Sequence, residues 1–123
     1  MILALLFALL SGSADSAMQS IIDQLAGRID TVVSDKAERR QLQAIVEKAG
    51  DTTKSFEKSR RKIHDQWVDL GKDKSATGAQ YEALFASLRQ ENEAYQREMI
   101  RHRFALRDRM SRGDWEKVYP PVQ

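Results

Sequence analysis

Two residues in the second half of the chain have side chains that a soft metal ion prefers. Met99 and His102 lie three residues apart, so on a helix the thioether sulfur and an imidazole nitrogen share one face. A metal site needs further ligands, and the sequence has neither a His-x-x-x-His pair nor a cysteine. We therefore expect no cofactor, and we interpret His102 as a polar residue that faces Val46 across a helix contact. Met99 and His102 are the candidates if a metal is sensed, and an imidazole in that position could instead charge in mild acid and loosen the contact.

Basic residues are concentrated in two clusters. The first comprises Lys54, Lys58, Arg60, Arg61 and Lys62. The second contains only arginine: Arg97, Arg101, Arg103, Arg107, Arg109 and Arg112. Such clusters attract acidic protein segments or anionic membrane surfaces, whereas a solvated helix face would instead use them in pairs such as Glu93 with Arg97. As partner-binding candidates we take Arg97, Arg101, Arg103, Arg107, Arg109 and, if exposed, Trp115.

The residue patterns of common enzyme sites are missing from the sequence. It has no glycine-rich phosphate loop, no Gly-x-Ser-x-Gly motif and no histidine placed with a carboxylate and a nucleophile. We therefore expect a protein that is not an enzyme. The net charge is only +2, from 20 Lys and Arg against 18 Asp and Glu, and the aromatic residues lie at predicted core positions. Both features argue against a nucleic-acid partner.

The first residues of the chain are typical of an export signal. Residues 2–10 are all apolar, and Ser11, Gly12, Ser13 and Ala14 follow, as in a signal-peptide core with a small-residue cleavage region. A membrane span needs about 20 apolar residues. We predict a signal peptide at 1–16, a single domain at 17–123 and a periplasmic location. An uncleaved segment that holds a helical spacer at the membrane is the alternative.

The candidate residues lie on two predicted long helices. Core positions recur at alternating steps of four and three, which is the spacing of a heptad seam. The first seam keeps its phase across Gly50 and predicts one helix from about Asp35 to Leu70. The residues of the first seam are Leu42, Val46, Ala49, Thr53, Phe56, Arg60, Ile63, Trp67 and Leu70, and those of the second are Tyr81, Phe85, Leu88, Asn92, Tyr95, Met99, His102 and Leu106.

The segment 71–78 has the glycine and polar residues of a connection between helices. If the chain reverses at Lys74, Trp67 faces Tyr81, Thr53 faces Tyr95 and Phe56 faces Asn92. The fold predicted is all-α: an antiparallel long helical hairpin flanked by a short N-terminal helix over 21–33 and a short C-terminal helix that contains Trp115 and Val118. Ser34 and Ser111 are the predicted caps. Because a hairpin cannot bury its seams on every side, we expect a homodimer.

Two helix starts share the form apolar-Ser-x-x: Val33-Ser34-Asp35-Lys36-Ala37 and Met110-Ser111-Arg112-Gly113-Asp114. They resemble the doubled L-T-x-x-Q motif of the small periplasmic CpxP/Spy-like proteins and their heavy-metal-sensor relatives, with Ala37 and Asp114 at the glutamine positions. The resemblance implies a hooked helical hairpin, often dimeric, that binds proteins in the periplasm. We therefore predict a chaperone-like or envelope-stress accessory protein; the alternatives are a periplasmic metal or pH sensor and a membrane-anchored spacer.

Overall fold

The structure, a computed structural model, describes the backbone of residues 13–119 and the side chains of residues 17–119. This part of the chain forms four helices and no strand, which confirms the predicted all-α class. We number the helices α1 (Ser13–Val32), α2 (Lys36–Lys72), α3 (Gly78–Arg109) and α4 (Arg112–Val118). Among residues 13–119, no helix has a stretch that is both long and apolar enough to cross a membrane.

The N-terminal helix is longer than predicted. With 20 residues, α1 begins at Ser13 instead of near Ile21, so the prediction of a short helix is wrong. Apolar spacing missed the first two turns because residues 13–20 are mostly small or polar. Most of the predicted signal peptide, residues 1–12, lies outside the described residues.

The N-cap of helix α2 is Asp35, one residue later than the predicted cap, Ser34. The Asp35 carboxylate accepts hydrogen bonds from the backbone N–H groups of Ala37 and Glu38, at 2.9 and 3.1 Å. Ser34 was the wrong choice because the Val33 N–H still bonds to the Ile29 carbonyl of α1, at 3.1 Å. The chain therefore changes direction between Val33 and Asp35. A carboxylate in this position also complements the helix dipole.

The 37 residues of α2 run through Gly50 without interruption, as the seam predicted. A Cβ built on Gly50 meets nothing within 4 Å outside the backbone of its own turn. Since glycine costs about 1 kcal/mol relative to alanine inside a helix, we expect Gly50→Ala to raise the free energy of unfolding by about 0.5 to 1 kcal/mol. Urea denaturation measures this, with Gly27→Ala in α1 as the matched control. Destabilisation by Gly50→Ala alone would show that a close neighbour approaches this turn.

Helices α2 and α3 pack together along their length with opposite chain directions. Arg109 at the end of α3 donates to the Gln41 side chain near the start of α2. The indole ring of Trp67 and the phenol ring of Tyr81 meet near the other end, with centroids 5.5 Å apart. The Trp67–Tyr81 contact is one that reversal at Lys74 predicts.

Two separate hydrophobic cores lie along this helix pair. The first, which we call the four-helix core, contains buried residues from all four helices and from the α1–α2 connection: Ile22, Ile29, Val33, Leu42, Val46, Ala49, Leu106 and Val118. The second, the distal core, has only Ile63, Leu84 and Leu88 buried, with Trp67 and Leu70 packed against them. Within the described residues, the distal core is built by two helices instead of four.

The connection between α2 and α3 is held by two local networks. The Asp73 carboxylate accepts from the Ser75 hydroxyl at 2.6 Å and from the Ser75 backbone N–H at 2.9 Å. Thr77 and Gln80 then form a reciprocal capping box at the start of α3. The Thr77 N–H donates to Gln80 Oε1 at 2.8 Å. The glycine and polar residues of 71–78 predicted this connection, but they did not predict the capping box.

The Asp73 network makes the stability of the fold depend on pH in acid. The hydrogen bonds from the Ser75 side chain and then from its backbone hold the pKa of Asp73 below its ordinary value, because both stabilise the ionised form. A lowered pKa in the folded state stabilises the fold above the unfolded pKa, and that stability is lost as the pH falls through the folded pKa. We expect Asp73→Ala to lower the Tm at pH 7 but not once the pH is well below about 3.9. Thermal melts across this range test it, and Asp69→Ala, on the exposed surface of α2, is the control.

Candidate protein-binding surface

One face of α3 exposes two large apolar side chains. Ile100 is 51% exposed and Phe104 is 41% exposed, and they lie one helical turn apart. Arg97, Arg101 and Arg107 lie three or four residues from one or both of them, on the same outward face. We call Arg97, Ile100, Arg101, Phe104 and Arg107 together the arginine stripe.

The arginines of the stripe make only local, exposed contacts. Arg101 pairs with Glu98, and Arg107 lies 3.2 Å from the Asp108 carboxylate, with its guanidinium carbon 4.5 Å from the ring centroid of Phe104. Arg97 makes no ion pair or hydrogen bond through its side chain within residues 17–119, and the expected pair with Glu93 does not form. Exposed ion pairs contribute about 0 to 1 kcal/mol. All three guanidinium groups are therefore available to a partner.

The other predicted site residues connect helices instead. The guanidinium carbon of Arg103 lies 5.8 Å from the Trp115 ring centroid and 5.9 Å from that of Tyr119. These two rings stack at 4.4 Å. Arg109 donates to Gln41. Trp115 is half-buried and packs against the four-helix core, so the structure separates the predicted set into three arginines of the stripe and three residues that link α3 to α2 and α4.

Helix α4 lies beside this surface because both of its ends are fixed. The Ser111 hydroxyl accepts from the Asp114 N–H at 3.1 Å, so Ser111 is the N-cap as predicted. At the other end, Val118 is fully buried, and its carbonyl accepts a hydrogen bond from Arg28 of α1 at 3.5 Å. Tyr119 follows directly and remains 37% exposed, which adds an aromatic ring near the stripe.

The first basic cluster does not form one surface. Arg60 is only 4% exposed, at a seam position between the two cores, while Arg61 pairs with Glu57 on the outside of α2. The seam spacing already placed Arg60 at an inward position. This cluster is therefore a weaker candidate for a binding surface than the arginine stripe.

His102 contacts a different residue from the one predicted. Its Nε2 lies 3.0 Å from the Thr52 hydroxyl oxygen, whereas Val46 was the predicted neighbour. Helical side chains lean toward the N-terminus of their own helix, so His102 reaches α2 further along than a register drawn through Cα positions indicates. The Thr52 hydroxyl oxygen also lies 2.9 Å from the Lys48 carbonyl oxygen, to which it can donate, and the direction of the His102–Thr52 hydrogen bond depends on the tautomer of the ring.

Met99 lies beside a second polar contact between α2 and α3, formed by Thr53 and Tyr95. The hydroxyl of Thr53 donates to the Ala49 carbonyl at 2.9 Å and shares a hydrogen bond with the Tyr95 hydroxyl at 3.0 Å, so the predicted Thr53–Tyr95 contact forms. The Met99 sulfur lies 3.9 Å from the same Thr53 oxygen. Within the described residues, no group of three or more His, Asp or Glu side chains is arranged to hold a metal ion.

A groove between α2 and α3 was not predicted. Its volume is about 410 Å³, and its floor contains the rings of Phe56 and Tyr95, stacked with centroids 4.3 Å apart. Three carboxylates line it: Asp51, Glu91 and Glu98. We call it the acidic groove. Phe56 was predicted to face Asn92; its ring stacks on Tyr95 because the side chain leans toward the N-terminus of its own helix.

No family model matches the chain, and comparisons with curated proteins and with solved structures find no match. The function is therefore argued from the stripe and its surroundings.

Proposed function

We propose that this chain is an exported, non-enzymatic helical protein that binds acidic segments of other proteins through the arginine stripe. The observation that carries the proposal is the exposure of Ile100 and Phe104, 51% and 41%, between arginines on one helix face. Arginine and aromatic residues are enriched where proteins bind one another. Partner binding in the periplasm, as a chaperone-like or envelope-stress accessory, fits this surface and the apolar residues 2–10.

The charge of the stripe supports an acidic partner. Residues 97–112 contain six arginines against two acidic residues, Glu98 and Asp108. Two copies that met stripe to stripe would bring arginines face to face, and such like-charge contacts are unfavourable. An acidic segment with one or two apolar side chains would instead pair with Arg97 and Arg101 while covering Ile100.

The fold holds the stripe in a fixed position. In the proposed working form, α2 and α3 make an antiparallel hairpin, and α1 and α4 flank one end of it. Leu106, on the inner face of α3, is 2% exposed in the four-helix core, two residues after Phe104. The stripe therefore lies on the part of α3 that packs in the four-helix core. A fixed backbone there reduces the conformational entropy that is lost on binding.

Binding of a labelled synthetic peptide made of glutamate and leucine, followed by fluorescence anisotropy, tests the proposal. We expect Ile100→Ser with Phe104→Ser to weaken binding about tenfold or more. Val68→Ser is the matched control, because Val68 is 38% exposed on the far half of α2, and its affinity should change less than about twofold. Added salt should also weaken binding by the native protein.

Two results would contradict this function. Equal affinity of the double variant and the control would show that the stripe is not the binding surface. Binding to vesicles of anionic lipid, with none to the acidic peptide, would make a membrane surface the partner instead. Export is tested separately by the intact mass of protein from a periplasmic extract, which should lack about 14 to 16 N-terminal residues.

A further inference from the structure

The acidic groove and the arginine stripe complement each other. Both have an apolar centre: Phe56 and Tyr95 in the groove, and Ile100 and Phe104 on the stripe. The charges at their edges are opposite. Asp51 and Glu91 are exposed, and neither makes an ion pair or side-chain hydrogen bond with another residue in the part of the chain that the structure describes.

The apolar centres of the two surfaces lie on opposite sides of α3, and only Arg101 of the stripe reaches the edge of the groove, where it pairs with Glu98. Ile100 follows Glu91 by nine residues, which is about two and a half turns at 3.6 residues per turn. The stripe of one molecule therefore cannot enter its own groove. A two-fold pair in which each copy fills the groove of the other would need both surfaces on one side, and the helix geometry does not provide this.

We propose that the stripe of one copy of this chain docks in the acidic groove of a second copy. The inference rests on the proposed function, since it takes the stripe to be a binding surface. Ile100 or Phe104 would pack on the Phe56–Tyr95 floor in the manner of a helix in a groove, with stripe arginines beside Asp51 and Glu91. Each docked copy presents a free groove at one end of the assembly and a free stripe at the other, so the contact is heterologous and builds open chains or rings.

This arrangement links self-association to partner binding. An acidic segment on the stripe would occupy the same arginines that enter the neighbour's groove. Acidic partners should therefore dissociate the assemblies. When no partner is present, the stripe would be covered by the groove of a second copy.

A mixing experiment with two variants tests the inference by sedimentation velocity at low salt. The groove variant carries Asp51→Lys and Glu91→Lys, and the stripe variant carries Ile100→Ser and Phe104→Ser; all four side chains are exposed. The native protein should form assemblies that grow with concentration, whereas each variant alone should be monomeric. Their equimolar mixture should give a 1:1 dimer, because one component retains its stripe and the other its groove. Lys58→Glu with Lys62→Glu, also exposed on α2, is the control and should assemble like the native protein.

Three results would overturn the inference: a monomeric native protein at all concentrations, a mixture that stays monomeric, or assembly that persists in both variants. Melting curves first establish that each variant is folded. The acidic peptide separates the two proposals, because the groove variant has an intact stripe and should bind the peptide at least as tightly as the native protein. Peptide binding by that variant without dimers in the mixture contradicts self-docking alone, and dimers without peptide binding contradict the proposed function alone.

Discussion

Ile29→Asp is expected to lower the free energy of unfolding by about 4 kcal/mol, the largest effect we predict for a single substitution. Ile29 has no exposed surface and lies in the four-helix core. An aspartate there loses the apolar packing and places a carboxylate among the apolar side chains of the four-helix core. Ile21 on the same helix is 38% exposed, and Ile21→Asp should change stability by less than about 0.5 kcal/mol.

Urea unfolding followed by circular dichroism measures this difference, and limited trypsin digestion reports where the structure opens. Loss of docking of α1 should expose Arg28 to cleavage in the Ile29 variant only. Equal stabilities for the two variants would mean that α1 does not pack on α2 in solution.

Leu42→Ala should cost about 3 kcal/mol, since Leu42 is fully buried in the four-helix core and leaves a cavity between surrounding helices. Leu84→Ala in the distal core should cost less, about 2 kcal/mol, because Leu84 is 9% exposed and only two helices need to close around the gap. Equilibrium urea denaturation of both variants gives the comparison. A larger loss for Leu84 than for Leu42 would show that the distal core is covered in solution by something beyond these two helices.

The positions of the long helices could be predicted from the sequence because heptad spacing is a property of one chain segment. The pattern through Val46, Ala49 and Thr53 keeps its phase across Gly50, and a helix preserves phase only if it is continuous. Reversal at Lys74 then brings Trp67 close to Tyr81 without any knowledge of tertiary contacts. Two contacts that this reversal predicts are present, namely Trp67 with Tyr81 and Thr53 with Tyr95.

What could not be predicted depends on side-chain direction and on neighbouring elements. His102 and Phe56 contact residues that are six and three positions from the expected ones, because helical side chains lean toward the N-terminus. The roles of Arg103 and Trp115 depend on where α4 packs, which no local pattern contains. The acidic groove lies beside the seam, and a search restricted to seam positions passes over it. The spacing of Asp51, Ser55 and Ser59 at every fourth residue, flanking the seam, was a signal for this lining.

The unequal cores also determine the order in which backbone amides exchange with solvent. Local opening requires little free energy where few buried side chains must separate, so the helix ends beside Trp67 and Tyr81 should exchange hydrogen for deuterium before the turns around Leu42 and Leu106. The free energy of local opening is then lower at the end near the distal core than at the end near the four-helix core. The arginine stripe lies near the four-helix core, so the end of the α2–α3 pair near Trp67 and Tyr81 is expected to open without disturbing the stripe.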